Sequence, residues 1–138
     1  MTRGRGVVLA DGRRSQFRPP ATVLMPAGTV HGFEFEPGTR GHVISVSDVL
    51  LRSLAEREAG VTGLFARPSV METPAATLHR TDLSQGVRML AREFARPDAG
   101  EGLALHGWLE VLLGNLLRLT SGQPNPADPV VGQRCQLM

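Results

Sequence analysis

The 138-residue sequence predicts a mainly β domain with helices at its C-terminal end. Three observations carry that expectation. The first third runs in short alternating stretches punctuated by Asp11-Gly12, Pro26-Ala27-Gly28 and Pro37-Gly38, the residue types that tight turns demand. The period then changes to that of a helix, most clearly at Leu83, Val87, Leu90, Ala91 and Phe94, which fall on one stripe. The last apolar run, Leu105 to Leu119, is too dense for a strand and has the length of a long helix.

Taken in order, Gly6 to Ala10 and Ser15 to Arg18 flank Asp11-Gly12, the two-residue signal of a type I′ hairpin. Pro19-Pro20 closes the second strand, since neither proline can donate to a ladder. Thr22 to Met25 reads as a third strand and His31 to Glu36 as a fourth, joined by the Pro26-Ala27-Gly28 corner. Successive side chains alternate along a strand, so His31, Phe33 and Phe35 share one face while Gly32, Glu34 and Glu36 take the other. After Pro37-Gly38, Gly41 to Val46 is expected as a fifth strand. Strands of this length, turning about every eight to ten residues, suggest a barrel or Greek-key fragment, with strands expected over residues 4–47.

Helices follow. Ser47-Asp48 supplies an N-cap, and Leu50, Leu51, Leu54 and Ala55 give helical spacing over 48–59. Val61 to Met71 is expected to be mostly loop with one short extended piece. Asp82-Leu83-Ser84-Gln85 resembles a capping box opening a helix over 82–96, which Pro97-Asp98-Ala99-Gly100 ends. The last helix spans 101–120, and Leu105, Trp108, Leu109, Leu112, Leu113, Leu116, Leu117 and Leu119 cover more than one of its faces. Such a helix either packs on two sides within the chain or gives part of its surface to a partner. The expectation adopted is a homodimer interface at Leu105, Trp108, Leu109, Leu112, Leu116 and Leu119. Residues 1–121 are thus read as one domain, and 122–138, with three prolines, as a flexible linker or tail.

Pro26-Ala27-Gly28-Thr29-Val30-His31 resembles the P-x-G-x-x-H core of the second cupin motif. Strands giving way to Leu-rich helices are similar to the N-terminal sensor and dimerisation half of AraC-type transcriptional regulators, over roughly Gly4 to Leu119. The resemblance implies a partial cupin-like barrel (double-stranded β-helix, or jelly roll) followed by two to three helices. A cupin barrel has more strands, and the remainder is expected before Met1. The resemblance also implies a small effector, such as a sugar or an aromatic acid, and DNA contact only through a helix-turn-helix segment that this chain does not include.

Two motifs carry the metal in cupin enzymes, and the first, with two His and a Glu, is absent here, where no His-x-His occurs. In the second motif the usual Gly and Asn positions hold Pro20 and Phe35. One imidazole does not hold a catalytic metal, which takes about three protein ligands. His42 with Glu34 or Glu36 is the remaining combination, but both glutamates alternate away from His31. No metal or other cofactor is therefore expected. Nor is there a Gly-x-Ser-x-Gly, a Cys beside a plausible His, or a carboxylate pair in an apolar frame. Arg3-Gly4-Arg5-Gly6 lacks the helix N-terminus of a phosphate loop.

Composition excludes further classes. All fifteen basic residues are Arg, scattered among acids at a net charge of +2, so no basic stripe for nucleic acid forms. No apolar run is long enough to span a bilayer, and Met1-Thr2-Arg3-Gly4-Arg5 leads into no secretory segment. A cytoplasmic protein without membrane contact is expected. The lone Cys135 permits no internal disulfide.

The expected function is effector binding and dimerisation, without catalysis. Val8, Met25, Phe33 and Phe35 are the expected pocket walls and His31 its hydrogen-bonding group, with Arg14 or Arg40 as a carboxylate clamp. Two alternatives remain: a stand-alone metal-dependent cupin enzyme, and a structural dimerisation module with a filled barrel.

Overall fold

Asp11 and Gly12 both take positive φ, at 48° and 77°, the backbone a type I′ hairpin requires. This turn joins β1 (Gly6–Ala10) to β2 (Arg13–Phe17) in the computed structural model. It describes residues 4–74, 76–77, 82–96 and 98–121; the expected tail at 122–138, Cys135 included, lies outside them. β3 (Ala21–Leu24) follows, then the corner at Gly28, where φ is 78° and Thr29 N–H donates to the Pro26 carbonyl. β4 (His31–Phe35) returns antiparallel along the free edge of β1.

α1 (Asp48–Arg57) begins where Ser47 caps it, its Oγ accepting from Leu50 N–H at 3.3 Å. α2 (Gly60–Leu64) is a single short turn of helix, and β5 (Ser69–Glu72) comes next. α3 (Leu83–Phe94) and α4 (Glu101–Ser121) complete the described chain as a packed pair. Among the described residues no helix is long and apolar enough to cross a membrane.

The strands form two sheets, ordered β2-β1-β4 and β3-β5, all antiparallel. The described strands make no closed barrel; the antiparallel sheets and the C-terminal helices of the expected fold are present. The expected strand at Gly41 to Val46 is corrected. The segment joins no ladder and leaves Val43 90% exposed. β3 pairs instead with β5, where Ala21 meets Glu72 and Leu24 meets Ser69.

Alternation along β3 and β5 explains how the layers stack. Ala21, Val23 and Val70 lie on one face of the ribbon and pack with Val8 and Phe17 of the larger sheet. Leu24 and Met71 lie on the other and join Leu54, Val61, Leu64, Leu83, Leu90 and the leucines of α4. The ribbon is therefore a middle layer between sheet and helices, apolar on both sides. Backbone bonds tie it in place: Thr73 N–H reaches the Pro20 carbonyl at 2.8 Å, and Arg18 N–H reaches Glu72 Oε1 at 2.7 Å.

The helices depart from expectation in four ways, the first being α2, which forms where loop was expected. Asp82 has a φ of 50° and makes no side-chain cap, so the capping box does not form; its carbonyl instead accepts from Gly86 N–H. Phe94, expected in the buried stripe of α3, is the last residue of that helix and is 77% exposed. Leu109, Leu112 and Leu116 are buried within the chain, together with Leu113, while Leu105, Trp108 and Leu119 pack half-buried against the same core. Helix α4 thus meets the ribbon, α1, α2 and α3 with its apolar circumference. Of the residues expected at a dimer interface, Leu109, Leu112 and Leu116 are therefore intramolecular core.

Candidate functional site

The ladder register decides which side chains share a face. Ala10 pairs with His31, Val8 with Phe33 and Gly6 with Phe35, and residues directly opposite one another project to the same side. On the other flank Gly6 pairs with Phe17. The ring of Phe17 lies over Gly6, where an added Cβ would strike it. The expected alternation on β4 is observed: His31, Phe33 and Phe35 form one row, and Glu34 faces away.

The row is an aromatic ladder. His31 meets Phe33 edge-on with ring centroids 5.8 Å apart, and Phe33 stacks on Phe35 at 5.5 Å. The His31 Nδ1 lies 2.8 Å from the Thr29 carbonyl, which can only accept, so Nδ1 carries the hydrogen and neutral His31 offers Nε2 as an acceptor. The corner at Gly28 places that carbonyl, and so the sequence turn sets the tautomer.

The row does not line a barrel interior. Phe33 is 38% exposed and Phe35 49%, while Val8 beside them is buried. The β3–β5 ribbon covers the β1 and β2 part of this face and stops short of β4: Ala21, Val23 and Val70 pack with Val8 of β1 and Phe17 of β2. Val8 is therefore sealed beneath the ribbon and is corrected as a ligand wall. Met25 sits half-buried against the same cluster, at the border between covered and open surface.

Arg14 is also corrected. It stands opposite Leu9, on the outer face, and binds Glu34 through both guanidinium nitrogens at 3.1 and 2.9 Å. A clamp already holding a carboxylate on the wrong face cannot serve the aromatic row. Arg40 is exposed on the segment after Gly38, and no described bond links it to the row.

A groove of about 570 Å³ opens at the Phe35 end of the row, between Phe35, Phe17, Arg5, Arg18 and Glu36. It is half open, with apolar rings on one wall and charges of both signs on the rim. Sequence reasoning missed this groove; the ladder register that brings Gly6, Phe17 and Phe35 to one line is its cause. Chemically, the row offers ring faces for stacking, one imidazole acceptor and flanking guanidinium groups. Among the described residues no cluster of His, Cys, Asp and Glu could hold a metal ion.

The family described as AraC-like ligand binding domain matches residues 1–113. No curated protein and no solved structure matches the chain.

Proposed function

The chain belongs to the AraC-like ligand-binding domain family, and on that premise we propose that it is the effector-sensing and dimerising part of a cytoplasmic transcription regulator. The observation that carries the reading is the exposed aromatic row of β4. A sugar ring or an aromatic acid stacks on Phe33 and Phe35, takes a hydrogen bond at His31 Nε2, and extends towards the groove beside Arg5 and Arg18. Exposed stacked rings cost free energy in water, and a ligand that covers them recovers it.

Dimerisation belongs to the outward side of the helix pair. Leu103 is 84% exposed on α4, Val111 lies two turns along the same side, and Phe94 projects from the end of α3. These residues, and not Leu112 or Leu116, are exposed apolar surface of the helix pair and are assigned to a second copy. DNA contact is assigned to a helix-turn-helix segment, and catalysis has no part in the reading.

The test is a thermal-shift screen of the chain against sugars and aromatic acids, repeated with His31→Ala and Phe33→Ala. A ligand that raises Tm in the unmodified chain and fails to do so in both variants supports the site. A shift that survives both substitutions overturns it.

A further inference from the structure

On the opposite side of the ribbon, a crevice of about 930 Å³ opens between α1, α2, α4 and the end of β3. Its floor is the edge of the helical core, where the buried Leu54, Leu64 and Leu113 and the half-buried Leu117 come to the surface. Its size falls within the range of small-molecule sites. Three arginines stand on its rim, and two are already engaged. Arg57 pairs with Glu110, and Arg118 donates to Asn115 Oδ1 at 2.6 Å. Arg67, at the crevice mouth between α2 and β5, makes no ion pair among the described residues. The remaining rim acid, Glu58, turns back to the N–H of Gly60.

We infer that this crevice is a second small-molecule site, taking an amphipathic carboxylate whose alkyl chain lies on the leucine floor and whose head binds Arg67. The charge balance favours an anion: three guanidinium groups face two carboxylates on the rim, and Arg67 has a fork of donors with no ion pair among the described residues. The backbone keeps the space open. Gly114 lies in the middle of α4 and Gly63 in α2, and a Cβ at either would meet nothing within 4 Å. A helix interior disfavours glycine relative to alanine, so two glycines lining one crevice leave room above the leucines at a local cost. The site is distinct from the β4 row, which lies across the ribbon.

Titration calorimetry of the full chain with decanoate, decanol and acetate tests the inference. Decanoate binds saturably at one per chain, decanol at least tenfold more weakly, and acetate not measurably. Arg67→Gln, an exposed substitution that leaves the core untouched, reduces decanoate affinity to that of decanol. Gly114→Leu fills the crevice, removes decanoate binding, and leaves Tm at or above that of the unmodified chain. Phe33→Ala leaves decanoate affinity unchanged. Equal affinity for decanoate and decanol, or undiminished binding in Arg67→Gln, overturns the inference. Loss of decanoate binding in Phe33→Ala also overturns it and transfers the ligand to the β4 row.

Discussion

Arg14 of β2 reaches across β1 to grip Glu34 of β4 with two parallel hydrogen bonds, at 3.1 and 2.9 Å. The pair straddles the middle strand on the face opposite the aromatic row, and so it fastens the outer strand of the site from behind. Both side chains are about half exposed, so water and salt screen the attraction. A double-mutant cycle of Arg14→Ala and Glu34→Ala should return a coupling of about 0.2–1 kcal/mol. The coupling should fall when unfolding is measured in 1 M salt; a larger, salt-independent value would place the pair in a drier environment than this one.

Phe17 and Phe33 lie on the same face of the same sheet, with very different burial. Phe17 is 2% exposed under the ribbon, and Phe17→Ala should cost about 3–5 kcal/mol in denaturant unfolding. Phe33 already stands partly in water, so Phe33→Ala should cost about 1–2 kcal/mol, nearer the low end of a ring's transfer value. Equal losses at the two positions would mean that β4 is covered in solution.

Gly6 exists to receive the Phe17 ring. Gly6→Ala should destabilise the sheet by about 1–3 kcal/mol, because the new methyl group meets the ring edge directly. The double variant Gly6→Ala with Phe17→Leu should lose less than the two single losses added together, since the smaller side chain relieves the overlap. Strict additivity in the same unfolding assay would remove this contact as the reason for the glycine.

The two sides of α4 should respond in opposite ways. Leu112→Ala removes a core side chain and should cost about 2–5 kcal/mol. Leu103→Glu touches an exposed position and should stay within about 0.5 kcal/mol of the unmodified chain in monomer stability. Sedimentation should nevertheless show Leu103→Glu shifted from dimer to monomer. A dimer that persists in this variant excludes the outward face of the helix pair as the contact.

Gly114→Ala offers a check in the stabilising direction. The position is helical, with open space where the methyl group would stand. Alanine there should raise stability by about 0.5–1 kcal/mol. A drop in Tm would show that the crevice beside Gly114 is narrower than described.

Local chemistry was legible in the sequence. Asp11-Gly12 fixed a hairpin because both positions need positive φ, Gly28 and Gly38 marked turns for the same reason, and Ser47 named its own helix start. The alternation His31, Phe33, Phe35 was readable because a strand has period two, and it gave the site its face before any neighbour was known. Tertiary structure decided what covered each face. Pairing of β3 with β5 joins residues as far apart as Ala21 and Glu72, and nothing within Gly41 to Val46 showed that this nearer segment would stay unpaired. The leucines of α4 were visible as an excess of apolar surface, but the sequence could not say whether the covering partner was another copy or the chain's own ribbon and helices. Periodicity specifies the direction in which a side chain points; burial depends on elements that arrive from elsewhere in the chain. For that reason Arg14 was readable as a cation and only the register of β1, β2 and β4 could give it to Glu34.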